Sequence, residues 1–274
     1  MRIALLQART GIDPGAEADA IRSRVAEAKA GGAVMLFTPE MSGLLDRDRA
    51  RADAHLALQH QDPVLAASCD AAREHGIWIH LGSLALRRDD GALANRGFVI
   101  DSCGIVRATY DKLHLFDVDL ASGESWRESA AYTAGDSSAV VETPLGRMGL
   151  SICYDLRFAA LYAALSDAGA TILSVPAAFT VPTGEAHWHV LLRARAIESA
   201  AFVVAAAQSG RHEDGRETYG HSLVLGPWGD ILLDMGSDEG LGFAEIDPEA
   251  VDEVRRRLPA IAHRRPIPAP AVAR

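Results

Sequence analysis

The chain has 274 residues, of which 49% are hydrophobic and 23% are charged. These fractions are those of an ordinary folded protein, and they exclude disordered, collagen-like and low-complexity classes. Asp and Glu number 37 against 27 Lys and Arg, which gives a net charge of −10. An acidic surface of this kind is poorly suited to neutralising phosphates, so we expect no nucleic-acid partner.

The three cysteines, Cys69, Cys103 and Cys153, are scattered along the chain. They form neither a disulfide framework nor a metal motif, which is typical of a reducing compartment and makes the cytoplasm the expected location. The first apolar residues give way to Gln7, so we expect no export signal. The longest apolar run, 200–207, is far shorter than the roughly 18 residues of a spanning helix, so we expect no membrane partner.

Short apolar runs alternate with stretches of helical periodicity. Residues 2–7 and 33–38 are predicted as strands, and residues 17–30, 156–168 and 186–199 as helices. Further strands are predicted at 77–84, 97–100, 105–110, 139–143, 148–153, 171–175, 202–207, 222–225 and 231–234. This alternation predicts an α/β protein with helices layered on sheets.

Turn residues at 102–104 and 227–230 predict two hairpins, so the sheets should be mixed rather than wholly parallel. No linker or repeat divides residues 1–265, which we predict to form one domain. The Pro-rich tail, 266–274, cannot extend a helix or join a central strand. It is expected to be either an ordered arm or a frayed end.

Cys153 ends the predicted strand 148–153, immediately before a predicted helix. A nucleophile at such a turn projects from the sheet edge, where the N–H groups of the first helical turn favour a thiolate and a developing oxyanion. The alternative is a small buried core residue.

Two other side chains with chemical potential follow predicted strands, Glu40 after 33–38 and Lys112 after 105–110. The alternatives are a capping carboxylate and a solvated cation. Because Lys29 and Lys112 are the only lysines among the basic residues, a general surface role for Lys112 is less favoured. A thiol, a carboxylate and an ammonium together supply a nucleophile, a proton acceptor and an oxyanion stabiliser.

The segments that carry these residues resemble the three signature segments of the nitrilase (carbon–nitrogen hydrolase) superfamily, in its order and spacing. They are FTPE at 37–40, YDKLHLFD at 110–117 and GLSICYDLRF at 149–158. The resemblance extends from Ile3 to about Arg265. It implies a four-layer α-β-β-α sandwich with mixed sheets, a single carbon–nitrogen hydrolase domain, and no metal or organic cofactor.

The same resemblance implies that Glu40 is the general base, that Lys112 stabilises the oxyanion and donates a proton, and that Cys153 is the nucleophile. It also assigns Glu128 as a supporting carboxylate that positions Lys112 or the substrate. Family members usually carry a lysine after the Glu-Ser pair, where this chain has Ala130.

The segment after the nucleophile looks like the amidase branch that contains ω-amidase and the amidases of deaminated glutathione. Segments 203–212, 219–222 and 227–229 are closer to the latter. The implied reaction is hydrolysis of deaminated glutathione to 2-oxoglutarate and cysteinylglycine. The alternatives are hydrolysis of 2-oxoglutaramate, succinamate, another small aliphatic amide or an N-carbamoyl compound, and, from a different class, a catalytically silent binding protein on the same fold.

Contacts to this small-molecule amide are predicted for five residues: Tyr154, Arg157, Thr180, Thr183 and His187. The guanidinium groups of Arg157 and Arg195 can pair with a substrate carboxylate, and a buried structural ion pair is the alternative role for each. Glu185 stands where these amidases usually have proline, which predicts an altered pocket rim. The resemblance also implies a homodimer or larger assembly, for which 156–168 and 186–199 are the candidate interface helices.

Overall fold

The computed structural model describes residues 1–119, 123 and 125–272. Its strands are β1 Arg2–Gln7, β2 Met35–Phe37, β3 Trp78–Arg87, β4 Leu93–Ile100, β5 Val106–Asp111, β6 Asp117–Asp119, β7 Ser125–Arg127, β8 Val140–Thr143, β9 Gly146–Leu150, β10 Ile172–Ser174, β11 Phe202–Ala205, β12 Ser209–Arg211, β13 Glu217–Tyr219, β14 Leu223–Leu225, β15 Ile231–Asp234 and β16 Gly240–Glu245. Its helices are α1 Pro14–Ala30, α2 Arg49–Asp53, α3 Pro63–His75, α4 Ala159–Asp167, α5 Val181–Ser199 and α6 Glu249–Arg257, with 3-10 turns at Gln59–Gln61, Glu128–Ala130 and Cys153–Arg157.

Two mixed six-stranded sheets form the centre of the protein. The first has the order β16-β1-β2-β3-β4-β5 and the second β15-β14-β11-β10-β9-β8. In each sheet three central strands run parallel, β1, β2 and β3 in one and β9, β10 and β11 in the other. The outer strands pair antiparallel, including the two predicted hairpins. The prediction of mixed sheets is therefore confirmed.

Alternate residues of β1 show how the layers stack. Ile3 and Leu5 join the apolar core that contains the inner residues of the second sheet, whereas Ala4 and Leu6 join the core beneath α1 and α3. Because successive strand side chains point to opposite faces, the two sheets face each other and α1 and α3 cover the outside of the first. Helices α4 and α5 pack against the second sheet on the other side, which confirms the α-β-β-α sandwich.

Local capping chemistry fixes where the helices of the first outer layer begin and end. Asp13 accepts the N–H of Gly15 at the start of α1, and Asp62 accepts that of Leu65 at the start of α3. Each helix continues with proline in its first turn, where a missing N–H costs nothing. Helix α3 ends at Gly76, whose φ of 60° is a left-handed conformation that glycine adopts without strain.

Several boundaries differ from the sequence predictions. The strand predicted over 148–153 ends at Leu150, because the chain turns sharply at Cys153. The helix predicted over 156–168 is a 3-10 turn followed by α4, and the one predicted from 186 begins at Val181. Helices α2, α3 and α6 and strands β6, β7, β12, β13 and β16 were not predicted. In β16, two glycines interrupt the apolar pattern that identifies strands.

Within the part of the chain that the structure describes, no helix combines the length and apolar character needed to cross a membrane. Residues 266–272 of the predicted tail are exposed and have no regular secondary structure. Residues 273 and 274 lie outside the described residues, and the domain boundary at 265 stays a prediction.

Candidate active site

The turn after β2 carries Glu40, which is 4% exposed. The hydroxyl of Thr38 accepts the N–H of Gly82, and the N–H of Met41 donates to the hydroxyl of Ser83. A Cβ at Gly82 would lie 2.1 Å from the carbonyl oxygen of Thr38, so only glycine allows this close approach of β3. Met41 has a φ of 57°, a strained conformation that these contacts maintain. The carboxylate of Glu40 is therefore held rigidly.

The turn after β9 carries Cys153 in a left-handed conformation, with a φ of 50°. Its N–H donates to the carbonyl oxygen of Pro176 at 2.9 Å. Asp155, two residues on, accepts the N–H of Ile152 at 2.9 Å and closes the 3-10 turn. A non-glycine residue at this φ costs about 1–3 kcal/mol, so the surrounding bonds are needed to keep the thiol in place.

Asp155 also ties this turn to the segment that carries Lys112. Its carboxylate accepts the hydroxyl of Tyr110 at 2.7 Å and the N–H of His114 at 3.0 Å. Burial and the nearby carboxylate raise the pKa of Tyr110, which keeps the phenol a donor. Asp155 was missed as a site residue. Its position three residues after Ile152, typical of a capping acid, is the signal that could have found it.

Lys112 lies between two carboxylates in the centre of the cluster. Its Nζ is 2.8 Å from Oε1 of Glu40 and 2.8 Å from Oε2 of Glu128. The amide of Asn95 donates to both acids, at 2.9 Å to Glu40 and 3.1 Å to Glu128. Asn95 was also missed. It is the only asparagine of the sequence, which is the one signal that could have singled it out.

Electrostatics sets the protonation states of the three central groups. Burial raises the pKa of Glu40, but the Lys112 ammonium and hydrogen bonds from Cys153, Lys112 and Asn95 outweigh it and leave that pKa below its ordinary value. Burial lowers the pKa of Lys112, yet Glu128 and Glu40 raise it well above the usual range. Burial and Glu40 hold the pKa of the Cys153 thiol well above its usual value, although Lys112 opposes them. The resting site thus combines a neutral thiol, an ionised carboxylate and an ammonium.

A cavity of about 800 Å³ opens over Cys153. Four of the five residues predicted to contact substrate line it: Tyr154, Arg157, Thr180 and Thr183. The ring of Tyr154 packs edge-on against Phe116, with 5.1 Å between ring centres. The hydroxyls of Thr180 and Thr183 lie 2.9 Å apart and bond to each other at the start of α5.

Two residues do not line the cavity: His187, which was predicted to contact substrate, and Arg195, for which a substrate contact and a structural ion pair were both open. His187 is exposed on α5 and does not line the cavity; its Nδ1 is 3.3 Å from the guanidinium of Arg157. The structure therefore gives His187 contact with Arg157 in place of the predicted position in the wall. Arg195 is buried and bonds to the carbonyl oxygen of Leu156 and to Glu198, so its role is structural.

The mouth of the cavity is rich in guanidinium groups. Arg47 and Arg216 both lie over the ring of Trp126, at 5.5 and 5.3 Å from its centre. Arg216 pairs with Asp214 at 2.7 Å, whereas the Arg47 side chain is half exposed. Sequence reasoning missed this arrangement, because these residues lie far apart along the chain.

The central cluster is unsuited to holding a metal, because the Lys112 ammonium occupies the place between the carboxylates where a cation would bind. The chemistry available is instead that of a thiol nucleophile with a carboxylate base and a fixed positive charge. These are the groups that covalent catalysis by a cysteine uses.

A family model described as carbon-nitrogen hydrolase matches residues 2–256, so the chain belongs to the carbon–nitrogen hydrolase family. It is 38% identical over 267 residues to a deaminated glutathione amidase of Yersinia enterocolitica, covering 96% of this chain and 92% of that protein. It superposes on the NitFhit protein of C. elegans with a TM-score of 0.88 and 38% identity, covering 96% of this chain but only 65% of that one.

The fold also matches a mutant of the amidase from Nesterenkonia sp. AN1, whose active-site cysteine carries acrylamide. The TM-score is 0.78 and the identity 27%, over 94% of this chain and 98% of that one.

Proposed function

We propose that this protein is an amidase in which Cys153 attacks the carbonyl carbon of a linear amide. The observation that carries the proposal is the convergence of Cys153, Glu40 and Lys112 on one cavity, where Nζ of Lys112 lies 2.8 Å from Oε1 of Glu40. The Michael addition of acrylamide at the active-site cysteine of the Nesterenkonia amidase shows a nucleophilic thiol in that protein and supports a nucleophilic role for Cys153.

The reaction takes two halves. Glu40 accepts the thiol proton while sulfur bonds to the carbonyl carbon, and the ammonium of Lys112 with the N–H of Tyr154 stabilises the oxyanion. The tetrahedral intermediate collapses, the C–N bond breaks, and the amine leaves with the proton from Glu40. Glu40 then activates water, which hydrolyses the thioester and releases the acid and the free thiol. Hydrogen bonds from Asn95 to Glu40, and from Lys112 to Glu128, hold the carboxylate and the ammonium in position.

We propose deaminated glutathione as the substrate, with 2-oxoglutarate and cysteinylglycine as products. The relative from Yersinia enterocolitica carries this activity in its name. A cavity of about 800 Å³ has ample room for a tripeptide analogue. The guanidinium of Arg157, which has no carboxylate within ion-pair distance among the described residues, supplies a charge for an anionic substrate.

Steady-state hydrolysis of deaminated glutathione beside 2-oxoglutaramate and succinamate tests the proposal, with Cys153→Ala as the blank. The expected result is a preference of about 100-fold in kcat/KM for the tripeptide analogue, or some 2.7 kcal/mol of transition-state discrimination. The reverse preference would make the protein an ω-amidase. Turnover of none of these, with N-carbamoyl compounds and other aliphatic amides also inert, would favour a silent binding protein.

We further propose a homodimer in which helix α5 packs against its symmetry mate. Val190 and Ile197 stand on one face of α5, 69% and 46% exposed, and Ile197 contacts the turn at Gly229, beside exposed Trp228. An apolar patch of this kind on a monomer marks an interface. Sedimentation at micromolar concentration should give a dimer, and Ile197→Glu should give a monomer; a wild-type monomer would overturn the proposal.

We also place the protein in the cytoplasm. The support is that Cys69, Cys103 and Cys153 all carry free thiols. Fractionation of source cells with a tagged chain tests this, and recovery with exported proteins would contradict it.

A further inference from the structure

Away from the cavity, three metal-ligating side chains from different elements converge. His189 lies on α5, His221 lies two residues before β14, and Asp234 ends β15. One nitrogen from each imidazole and a carboxylate oxygen all lie within 4.8 Å of one another. It is the one such group among the residues that the structure describes.

We propose that His189, His221 and Asp234 form a binding site for a divalent transition metal of the zinc class. Two imidazoles and one carboxylate are ligands that zinc and cobalt accept, and three protein ligands leave a fourth position for water. Magnesium and calcium prefer all-oxygen sites and are not expected to bind.

The carboxylate already stands between the two rings. Oδ2 of Asp234 is 2.9 Å from Nε2 of His189, and Oδ1 is 2.9 Å from Nδ1 of His221. Ligand atoms in a tetrahedral zinc site are about 3.3 Å apart, so the two ring nitrogens need to approach each other by at most about 1.5 Å. Small rotations of two partly exposed side chains supply that movement.

The protein around the three ligands restricts their positions. The N–H of His221 donates to the carbonyl oxygen of Gly236 at 2.7 Å, and its carbonyl oxygen accepts Nε1 of Trp188 at 2.8 Å. The ring of His221 stacks on Tyr219, with centres 4.4 Å apart. Asp234 accepts the N–H of Gly236 at 3.0 Å, an outer bond of the kind that orients metal ligands.

The proton balance of binding is simple. In the metal-free state a neutral ring uses one N–H to bond to Asp234; on coordination that nitrogen gives its lone pair to the metal, and the ring proton resides on the other nitrogen. A protonated ring instead releases one proton to solvent. The ion then links α5 to β14 and β15, and we expect it to stabilise the fold without entering the amidase reaction.

Isothermal titration of the purified, chelator-treated protein with Zn²⁺ and with Co²⁺ tests the site. One ion per chain should bind, and the Co²⁺ complex should show visible bands of a tetrahedral nitrogen and oxygen site. Replacing one ligand, in His189→Gln or Asp234→Asn, should weaken binding at least about 10-fold, the loss that even an outer partner costs. Saturating Zn²⁺ should raise Tm by about 5 °C in wild type only.

His187→Gln is the matched control, because it removes an exposed histidine from the same helix and should leave binding unchanged. Sedimentation with and without Zn²⁺ separates stabilisation of the chain from a change of assembly. A sulfur-to-cobalt charge-transfer band would place the ion on a cysteine and overturn the proposal, as would unchanged binding in His189→Gln and Asp234→Asn. None of these readouts depends on amidase activity.

Discussion

The floor and the mouth of the cavity are built on opposite principles. The floor consists of side chains that are mostly buried and bonded to one another: Glu40, Asn95, Lys112, Glu128 and Cys153. The mouth consists of cationic and aromatic side chains that reach solvent or stack loosely: Arg47, Trp126, Arg157 and Arg216.

This difference separates two tasks. In the floor, low dielectric and short distances make each charge strong, so protonation states and geometry are fixed before substrate arrives. At the mouth, water screens each charge, so a single contact contributes to binding without controlling the reaction. Substitutions in the floor should therefore reduce kcat, and those at the mouth should raise KM.

The largest effect should come from Cys153→Ala, which removes the nucleophile. We expect kcat to fall by about 10⁴-fold or more, because no thioester can form. Mass spectrometry of the quenched enzyme should show the acyl adduct in wild type and not in the variant. Cys69→Ala, at a half-buried thiol outside the cavity, is the matched control and should keep full activity. Residual turnover above a few per cent in Cys153→Ala would contradict the mechanism.

Asn95→Leu tests whether a floor residue that only hydrogen-bonds to Glu40 and Glu128 also controls kcat. Loss of the amide removes one hydrogen bond from Glu40 and one from Glu128, and we expect kcat to fall by about 100-fold with KM little changed. The acid limb of the pH–rate profile should also move upward, since a bond that lowers the pKa of Glu40 is gone. If kcat fell by about 100-fold but the acid limb of the pH–rate profile stayed in place, the variant would only disturb packing, and the positioning role of Asn95 would be wrong.

Arg157→Met tests the mouth. We expect KM for an anionic substrate to rise by about 10-fold while kcat changes little, because a charge-assisted hydrogen bond to a carboxylate contributes about 1.5–3 kcal/mol. Arg147→Met is the control, since Arg147 pairs with Glu142 on the surface away from the cavity. A large drop in kcat would contradict a binding role for Arg157 and would mean that it takes part in the reaction, as the floor residues do.

The smallest effect should be that of pH on the wild-type enzyme. The pKa of Glu40 lies below its ordinary value of 4.5, so the base stays ionised, and kcat/KM should be level from neutral pH down past 4.5. The stability of the folded protein should depend on pH in the same direction. Ionised Glu40 stabilises the folded state above the pKa that it has in the unfolded chain, and this stabilisation is lost as the pH falls through its lower folded-state pKa.

The pKa of the Cys153 thiol is raised, so the thiol stays protonated at alkaline pH. We therefore expect no decline in kcat/KM near pH 9.0, the ordinary thiol pKa. Circular dichroism at each pH distinguishes unfolding from titration. An acid limb above pH 5 in folded protein would contradict the assigned pKa of Glu40.

Local sequence patterns are enough to predict the α/β class of the fold and to single out three residues of the cavity floor. Apolar runs and turn residues are local features, so every strand of the two six-stranded sheets except β16, both hairpins and the mixed sheets could be predicted. Glu40, Lys112 and Cys153 could be singled out because each lies at the end of a predicted strand or two residues beyond it, in a segment that resembles a family signature, and strand ends meet at one edge.

Only the tertiary structure decided which residues complete the site. Asn95 lies within β4 and Asp155 within the nucleophile turn, and their partners are up to 55 residues away in sequence, a separation that local patterns do not encode. Arg47 and Arg216 at the mouth, and the cluster of His189, His221 and Asp234, were hidden for the same reason. His187 shows the converse, since a residue inside a recognisable segment points away from the cavity once the helix phase is set.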